Sequence, residues 1–288
     1  MTRAPAESRV SINGIEIAVS EWPGQGPPVF FCHATGFHAR IWERVIDHLL
    51  RDGAPHRCIA FDARGHGRSS KPAPPYPWRD FGADVAVLAE SLGVNGAIGV
   101  GHSMGGHSVT LGAALRPAAF SALVLFDPVI RAKDDYRGPW KKTAFVAKRR
   151  NRWTSAQEMF ERFESRSPFD SWDRQVLRDY CEYGLMPAGE GFVLACPPEI
   201  EASIYDGSTA VESNIHPEIA TIQIPVHVIR SGGNFDPADV MRMSPTTPDL
   251  AASFARGTDT CLTGHSHFIP MESPQLAARI IAQTLALL

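Results

Sequence analysis

Five short stretches of this 288-residue chain run apolar with little alternation: PVFFCH at 28–33, RCIAFD at 57–62, AIGVG at 97–101, ALVLF at 122–126 and PVHVIR at 225–230. A strand with one face in water alternates polar and apolar residues, whereas a strand covered on both faces does not. Helical periodicity separates the runs. Ile41, Trp42, Val45, Ile46, Leu49 and Leu50 recur at helical spacing, as do Val85, Leu88 and Leu92 within 81–92. Further helices are expected from Met104 to about Leu115 and from Gln275 to Leu288. Strand–helix alternation around buried strands predicts an α/β fold with a mostly parallel central sheet and helices on both faces. Asn13-Gly14 marks a hairpin turn in an opening pair of strands over 8–22, and 259–262 reads as a weaker last strand.

The rhythm breaks between Arg131 and Pro217. This stretch is rich in aromatics and carries Lys141, Lys142, Lys148, Arg149, Arg150 and Arg152, without a clear apolar strand. Helices are expected over 156–163 and 171–183. The division that follows is a core of residues 1–130 and 218–288 with a helical cap insertion at 131–217. The basic residues read as a solvated helix face, with contact to an anionic substrate or partner as the alternative.

With 44% hydrophobic and 20% charged residues, the chain can build a sizeable core. A net charge of −3 argues against nucleic-acid or anionic-membrane partners. No segment reaches the roughly 18–20 apolar residues of a membrane span. The opening MTRAPAESRV lacks an apolar signal core, so a cytoplasmic location is expected. The cysteines (Cys32, Cys58, Cys181, Cys196 and Cys261) are odd in number and form no CxxC, which points to reduced thiols, with Cys32 and Cys261 as inert core residues. The eleven histidines form no metal-binding spacing, and there is no phosphate-binding glycine loop. Neither metal nor cofactor is expected.

The third run leads into GVGHSMG at 99–105, where Ser103 stands between Gly101 and Gly105. Glycine weakens a strand interior, so glycines here imply a turn too tight for a Cβ. The segment matches G-x-S-x-G between a strand and a helix, a turn that exposes a serine hydroxyl at the sheet edge. Such a serine is a weak nucleophile until a base, an acid to orient that base, and N–H donors for the oxyanion surround it.

With HATGF at 33–37, FDARGHGRSS at 61–70, GHSMGG at 101–106 and GHSHFIPMESP at 264–274, the chain resembles the α/β-hydrolase-fold superfamily. More closely, it resembles serine hydrolases with a helical cap inserted after the sixth strand. The resemblance implies a triad in the order serine, acid, histidine. The family's histidine is often followed five residues later by Glu and seven later by Pro. His267 fits this with Glu272 and Pro274, and His265 does not. The usual acid position, after the strand PVHVIR, falls on Asp236. A minority position, after the preceding strand, falls on Asp127, and an Asp-Pro after a strand is also an ordinary turn former. The catalytic set implied is Ser103, Asp236 and His267, with Asp127 as the alternative acid. The oxyanion hole would use the N–H groups of Met104 and Thr35. Where the family shows His-Gly, this chain has His33-Ala34, and Gly36 is the residue free to adopt the needed conformation. Asp62, Arg64 and His66 match a loop of architectural role, while His33, His38 and His102 are expected to bond locally.

The resemblance implies hydrolysis of a small or medium carboxylic ester or lactone through an acyl-serine intermediate. Thioester or C–C hydrolysis uses the same triad and is the alternative; a non-catalytic ligand-binding member is the alternative of another class. Serine rather than aspartate at the elbow argues against epoxide opening or dehalogenation. The expected partner is a small molecule, and the sequence leaves the oligomeric state open. Trp140, Phe145, Trp153, Phe160, Phe163, Trp172 and Tyr180 offer apolar surface for the cap.

Overall fold

The computed structural model describes residues 4–51, 56–139, 143–236 and 238–287. The chain opens with β1 (Ala6–Ile12), β2 (Ile15–Trp22), β3 (Gly26–Cys32), α1 (Glu43–Arg51), β4 (His56–Phe61) and α2 (Trp78–Ser91). It continues through β5 (Ala97–His102), α3 (Met104–Leu115) and β6 (Phe120–Phe126). There follow α4 (Ala144–Ala147), β7 (Arg152–Trp153), α5 (Ala156–Phe163), α6 (Arg174–Tyr183), β8 (Leu185–Ala188), β9 (Gly191–Leu194), α7 (Pro198–Gly207) and α8 (His216–Ile219). The chain closes with β10 (Val226–Ser231), β11 (Gly257–Leu262), α9 (Ile269–Glu272) and α10 (Pro274–Leu285).

The main sheet has eight strands in the order β1-β2-β4-β3-β5-β6-β10-β11. β2 pairs antiparallel with β1 and β4, and every other pairing is parallel. The unbroken apolar runs have a direct cause: neighbouring residues serve opposite faces. Phe30 packs with α2 and α3 through Val85, Leu88 and Val109, while Phe31 packs with α1 and α10 through Val45, Ile46 and Ile281. All eight of these side chains are fully buried or nearly so. β5 sits mid-sheet between β3 and β6, so a residue leaving its C-terminal end emerges at the centre of one sheet edge.

Between β6 and β10 the structure departs from the helical expectation. Besides helices, it holds a three-stranded antiparallel sheet, β7-β9-β8. Its strands are two to four residues long, one contains Pro187, and a positive-φ Gly189 turns β8 into β9. Strands this short leave no periodicity to read. The segment between β6 and β10 is tied to the rest of the chain by hydrogen bonds from Asp173 N to Met271 O (2.8 Å) and from the Trp78 indole to Ile204 O (2.7 Å). Trp140, Lys141 and Lys142 lie outside the described residues. Cys261 also departs from expectation: β11 is an edge strand and this thiol is exposed, whereas the other four are buried. Among the described residues no helix is long and apolar enough to cross a membrane.

Candidate active site

The turn from β5 into α3 is built by glycines. A Cβ on Gly101 would overlap the backbone of Gly105, and one on Gly105 would overlap the Cys32 carbonyl of β3. Both positions therefore require hydrogen, and the helix start can press against two neighbouring strands. Ser103, between them, has φ +57° and ψ −120°, a conformation that L side chains rarely adopt. The bend is held by hydrogen bonds from Ser103 N to Phe126 O (3.1 Å) and from Val129 N to Ser103 O (3.0 Å).

Three side chains form a continuous relay. Ser103 Oγ lies 3.0 Å from His267 Nε2, and His267 Nδ1 lies 2.7 Å from Asp127 Oδ2. A carboxylate only accepts, so Nδ1 carries the proton and Nε2 is left to accept from the serine. The other oxygen of Asp127 accepts from Ser231 N (3.0 Å) and Ser244 Oγ (2.6 Å), with Thr246 Oγ1 at 3.2 Å. These donors satisfy a carboxylate that is completely buried.

Asp236, the acid expected from sequence, is not the partner of His267. It is exposed, and its Oδ1 accepts from Ala238 N at 2.8 Å. Asp127 takes the position for a physical reason. It leaves β6 at φ +43°, aimed toward His267, and the loop after β10 supplies hydroxyls that fasten it. The loop on which the sequence reading placed the acid thus holds the acid in place instead. Ser244 and Thr246 were missed because isolated hydroxyl residues in loops carry no sequence signal, and Ser231 because it donates through its backbone N–H at the end of β10.

The histidine loop is fixed from several sides. Glu272 accepts from Ser266 N (3.0 Å) and from the Ser266 hydroxyl, which accounts for a glutamate five residues beyond His267. His265 bonds Ser273 Oγ at 2.9 Å and takes no part in the relay. His102 Nε2 donates to the His267 carbonyl at 2.9 Å, and the two rings lie 5.0 Å apart. Burial first, and the neighbouring His267 second, hold the His102 pKa well below its ordinary value, so its ring stays neutral.

Thr35 follows β3 beside the serine. The loop takes its positive φ at Gly36 (+79°) and not at Ala34, and the Gly36 N–H is engaged by His66 Nε2 at 3.0 Å. Among the described residues no hydrogen bond occupies the Thr35 N–H. Met104 is the first residue of α3, where free N–H groups and the helix dipole favour negative charge. His33 bonds Ala34 O (2.8 Å) and Ala63 N (2.9 Å), and His38 bonds Tyr180 O (3.2 Å), so both brace loops. Asp62 likewise accepts from Ala39 N and Arg68 N, each at 2.7 Å.

Ser103 and His267 open into a cavity of about 580 Å³ between the sheet edge and the insertion. Of the aromatics singled out above, Phe145, Trp153, Phe163 and Tyr180 line it, while Phe160 and Trp172 are buried elsewhere in the insertion. Arg131, Arg149, Arg150, Arg162 and Arg166 also line the cavity, whereas Glu201 is its one acidic residue among those described. Arg149 is bound to Glu201 (2.5 Å) and Tyr180 (3.3 Å).

Comparison with known proteins agrees with this architecture. Over 280 residues the chain is 25% identical to the 2-(acetamidomethylene)succinate hydrolase of Mesorhizobium japonicum, covering 95% of this chain and 92% of that protein. It is 40% identical to a non-heme chloroperoxidase of Streptomyces lividans, but over 98 residues only, 34% of this chain and 35% of that one. The crystal structure of an E-2-(acetamidomethylene)succinate hydrolase superposes with a TM-score of 0.76 at 22% identity, covering 98% of this chain and 99% of that one. The thioesterase domain of the curacin biosynthetic pathway gives 0.75 at 20% identity, over 98% and 100%. A sequence profile of the alpha/beta hydrolase family matches residues 29–280, and the chain belongs to that family.

Proposed function

We propose that the protein is a serine hydrolase that cleaves a small or medium carboxylic ester or lactone through an acyl-serine intermediate. The observation that carries this reading is the unbroken relay Ser103–His267–Asp127 at the floor of a cavity. In this mechanism Ser103 Oγ attacks the substrate carbonyl carbon while His267 Nε2 takes its proton. The resulting oxyanion is held by the N–H groups of Met104 and Thr35; one such donor contributes about 3–4 kcal/mol to the barrier reduction. His267 then protonates the departing alkoxide, leaving an acyl-Ser103. Next it takes a proton from water, whose oxygen attacks the acyl carbon, and returns that proton to Ser103 as the acid leaves. Asp127 keeps the imidazole oriented and stabilises it when charged.

Residues 131–217 act, in this reading, as a cap over the site, their aromatic side chains enclosing the acyl or alcohol portion. Thioester and C–C hydrolysis run on the same relay, so the bond cleaved is decided by assay across acyl esters, lactones, thioesters and vinylogous diketones. Labelling with a fluorophosphonate probe tests the core of the proposal. Wild-type protein is expected to label at Ser103 and Ser103→Ala not at all. An unlabelled wild-type protein with its fold intact would make the chain a ligand-binding member instead.

A further inference from the structure

Among the cavity arginines, the neighbours of each guanidinium separate structural groups from unused ones. Arg149 is paired with Glu201 and also bonds Tyr180. Arg150 bonds Glu158 and the Arg152 carbonyl and stacks over Trp153. Arg162 and Arg166 are exposed and make no ion pair among the described residues. Arg131 stands apart. It is half-buried, its Nε is fully shielded from solvent without an acceptor, and no carboxylate of the described residues pairs with it. Its backbone is clamped on both sides: its N–H donates to Tyr136 Oη (3.1 Å), and its carbonyl accepts from His216 Nε2 (2.9 Å). Two residues earlier, Val129 N bonds the carbonyl of Ser103. The backbone that carries this cation is thus fixed, and the guanidinium, partly desolvated and with no carboxylate in ion-pair reach among the described residues, lines the same cavity as the serine. An unpaired buried charge is costly, and burial does depress the Arg131 pKa. A planar guanidinium of this kind is matched by a carboxylate, which accepts two of its N–H groups.

We infer that Arg131 binds a carboxylate of the substrate while the substrate's reacting carbonyl sits on Ser103, so that the preferred substrate is an anionic ester. The inference rests on the hydrolase reading for the position of that carbonyl. Arg162 and Arg166 add positive potential that draws such an anion in, as charges of one sign lining a cleft do.

The test pairs mono-4-nitrophenyl succinate with 4-nitrophenyl 4-methylpentanoate, in which an isopropyl group replaces the carboxylate. Wild-type kcat/KM is expected to favour the hemisuccinate by at least about tenfold, the order of one charge-assisted hydrogen bond. In Arg131→Gln that ratio falls toward one, mainly through KM, and Arg131→Lys retains part of it. A wild-type ratio near one, or a ratio unchanged in Arg131→Gln, overturns the inference. A second measurement needs no turnover. Succinate is expected to raise the melting temperature of Ser103→Ala protein more than neutral succinamide does, and the difference to shrink when Arg131→Gln is added. Equal shifts from the two ligands overturn the inference whether or not Ser103 is labelled by fluorophosphonate. If Arg131→Gln does not fold, Arg131→Lys takes its place in both measurements, and a carboxylate preference as large in Arg131→Lys as in wild type overturns the inference.

Discussion

Ser103 and Asp127 leave neighbouring parallel strands immediately past the same rung: His102 of β5 pairs with Phe126 of β6, and Ser103 N donates to the Phe126 carbonyl at 3.1 Å. Both residues then turn at positive φ, +57° and +43°. The serine and the carboxylate are therefore set by one stretch of ladder, and only the histidine has to be brought from elsewhere. Its loop is held by Glu272 and by a bond from His267 N to Arg242 O at 3.0 Å.

The acid assignment gives the sharpest contrast. Asp127→Asn is expected to lower kcat on 4-nitrophenyl esters by roughly 10³–10⁴-fold, the scale found when a triad aspartate is made an amide. Asp236→Asn should stay within about twofold, since exposed substitutions away from special contacts change little. Steady-state kinetics of the two purified variants decide it, and equal losses would return the role to the loop after β10.

The turn that carries the serine is sterically closed. Gly105→Ala places a methyl group on the Cys32 carbonyl and is expected to cost about 2–4 kcal/mol of stability. Urea denaturation would read this as a lower midpoint. A variant as stable as wild type would mean that α3 and β3 are less tightly packed than described.

A positioning role for His102, through its bond to the His267 carbonyl, is tested by removing that donor. His102→Phe keeps a ring but loses that donor, and kcat should fall about tenfold, the scale of one lost buried hydrogen bond, with KM little changed. His102→Gln, which retains an N–H, should recover much of the loss. An equal deficit in both variants would point to packing alone.

Five histidines, His33, His38, His66, His102 and His107, are buried, and burial lowers the pKa of each, to about 4 for His38 and His107. In the unfolded chain each titrates near its ordinary value of about 6.5. Below that ordinary value the unfolded chain binds more protons than the folded one, so the stability is present in full above about pH 6.5 and is lost as the pH falls through each ring's lowered value, about 4 for His38 and His107. Each such histidine contributes a slope of about 1.4 kcal/mol per pH unit within its window. Melting curves from pH 8 to 5 should show a steep fall below pH 6.5, and a flat profile would contradict the neutral, buried state of these rings.

Much of this was legible in the sequence, for reasons that particular residues make plain. Phe30 and Phe31 face opposite layers, so the buried strands announced themselves as unbroken apolar runs. The approach of Ser103 to His267 was expected from the glycine spacing around the serine and from the family resemblance in the residues after the histidine, and the fold shows what Glu272 is for: it holds Ser266 beside that histidine. The choice of acid was not. Asp127-Pro128 and Asp236-Pro237 look alike in a chain, and what separates them is a set of donors, Ser231, Ser244 and Thr246, that only folding assembles. Arg131 was likewise hidden among many basic residues, since a missing partner is a property of three dimensions.

The acid's place at the end of β6 has a consequence for engineering. Ser103 and Asp127 both precede residues 131–217, and His267 follows them on a loop braced by His102 and by Glu272, which also accepts from Ser171 of that segment at 3.0 Å. A chimaera that transplants residues 131–217 from another member of the family would leave all three groups on their native scaffold. Selectivity could then be exchanged as a cassette, and Arg131, the first residue of that segment, would be exchanged with it.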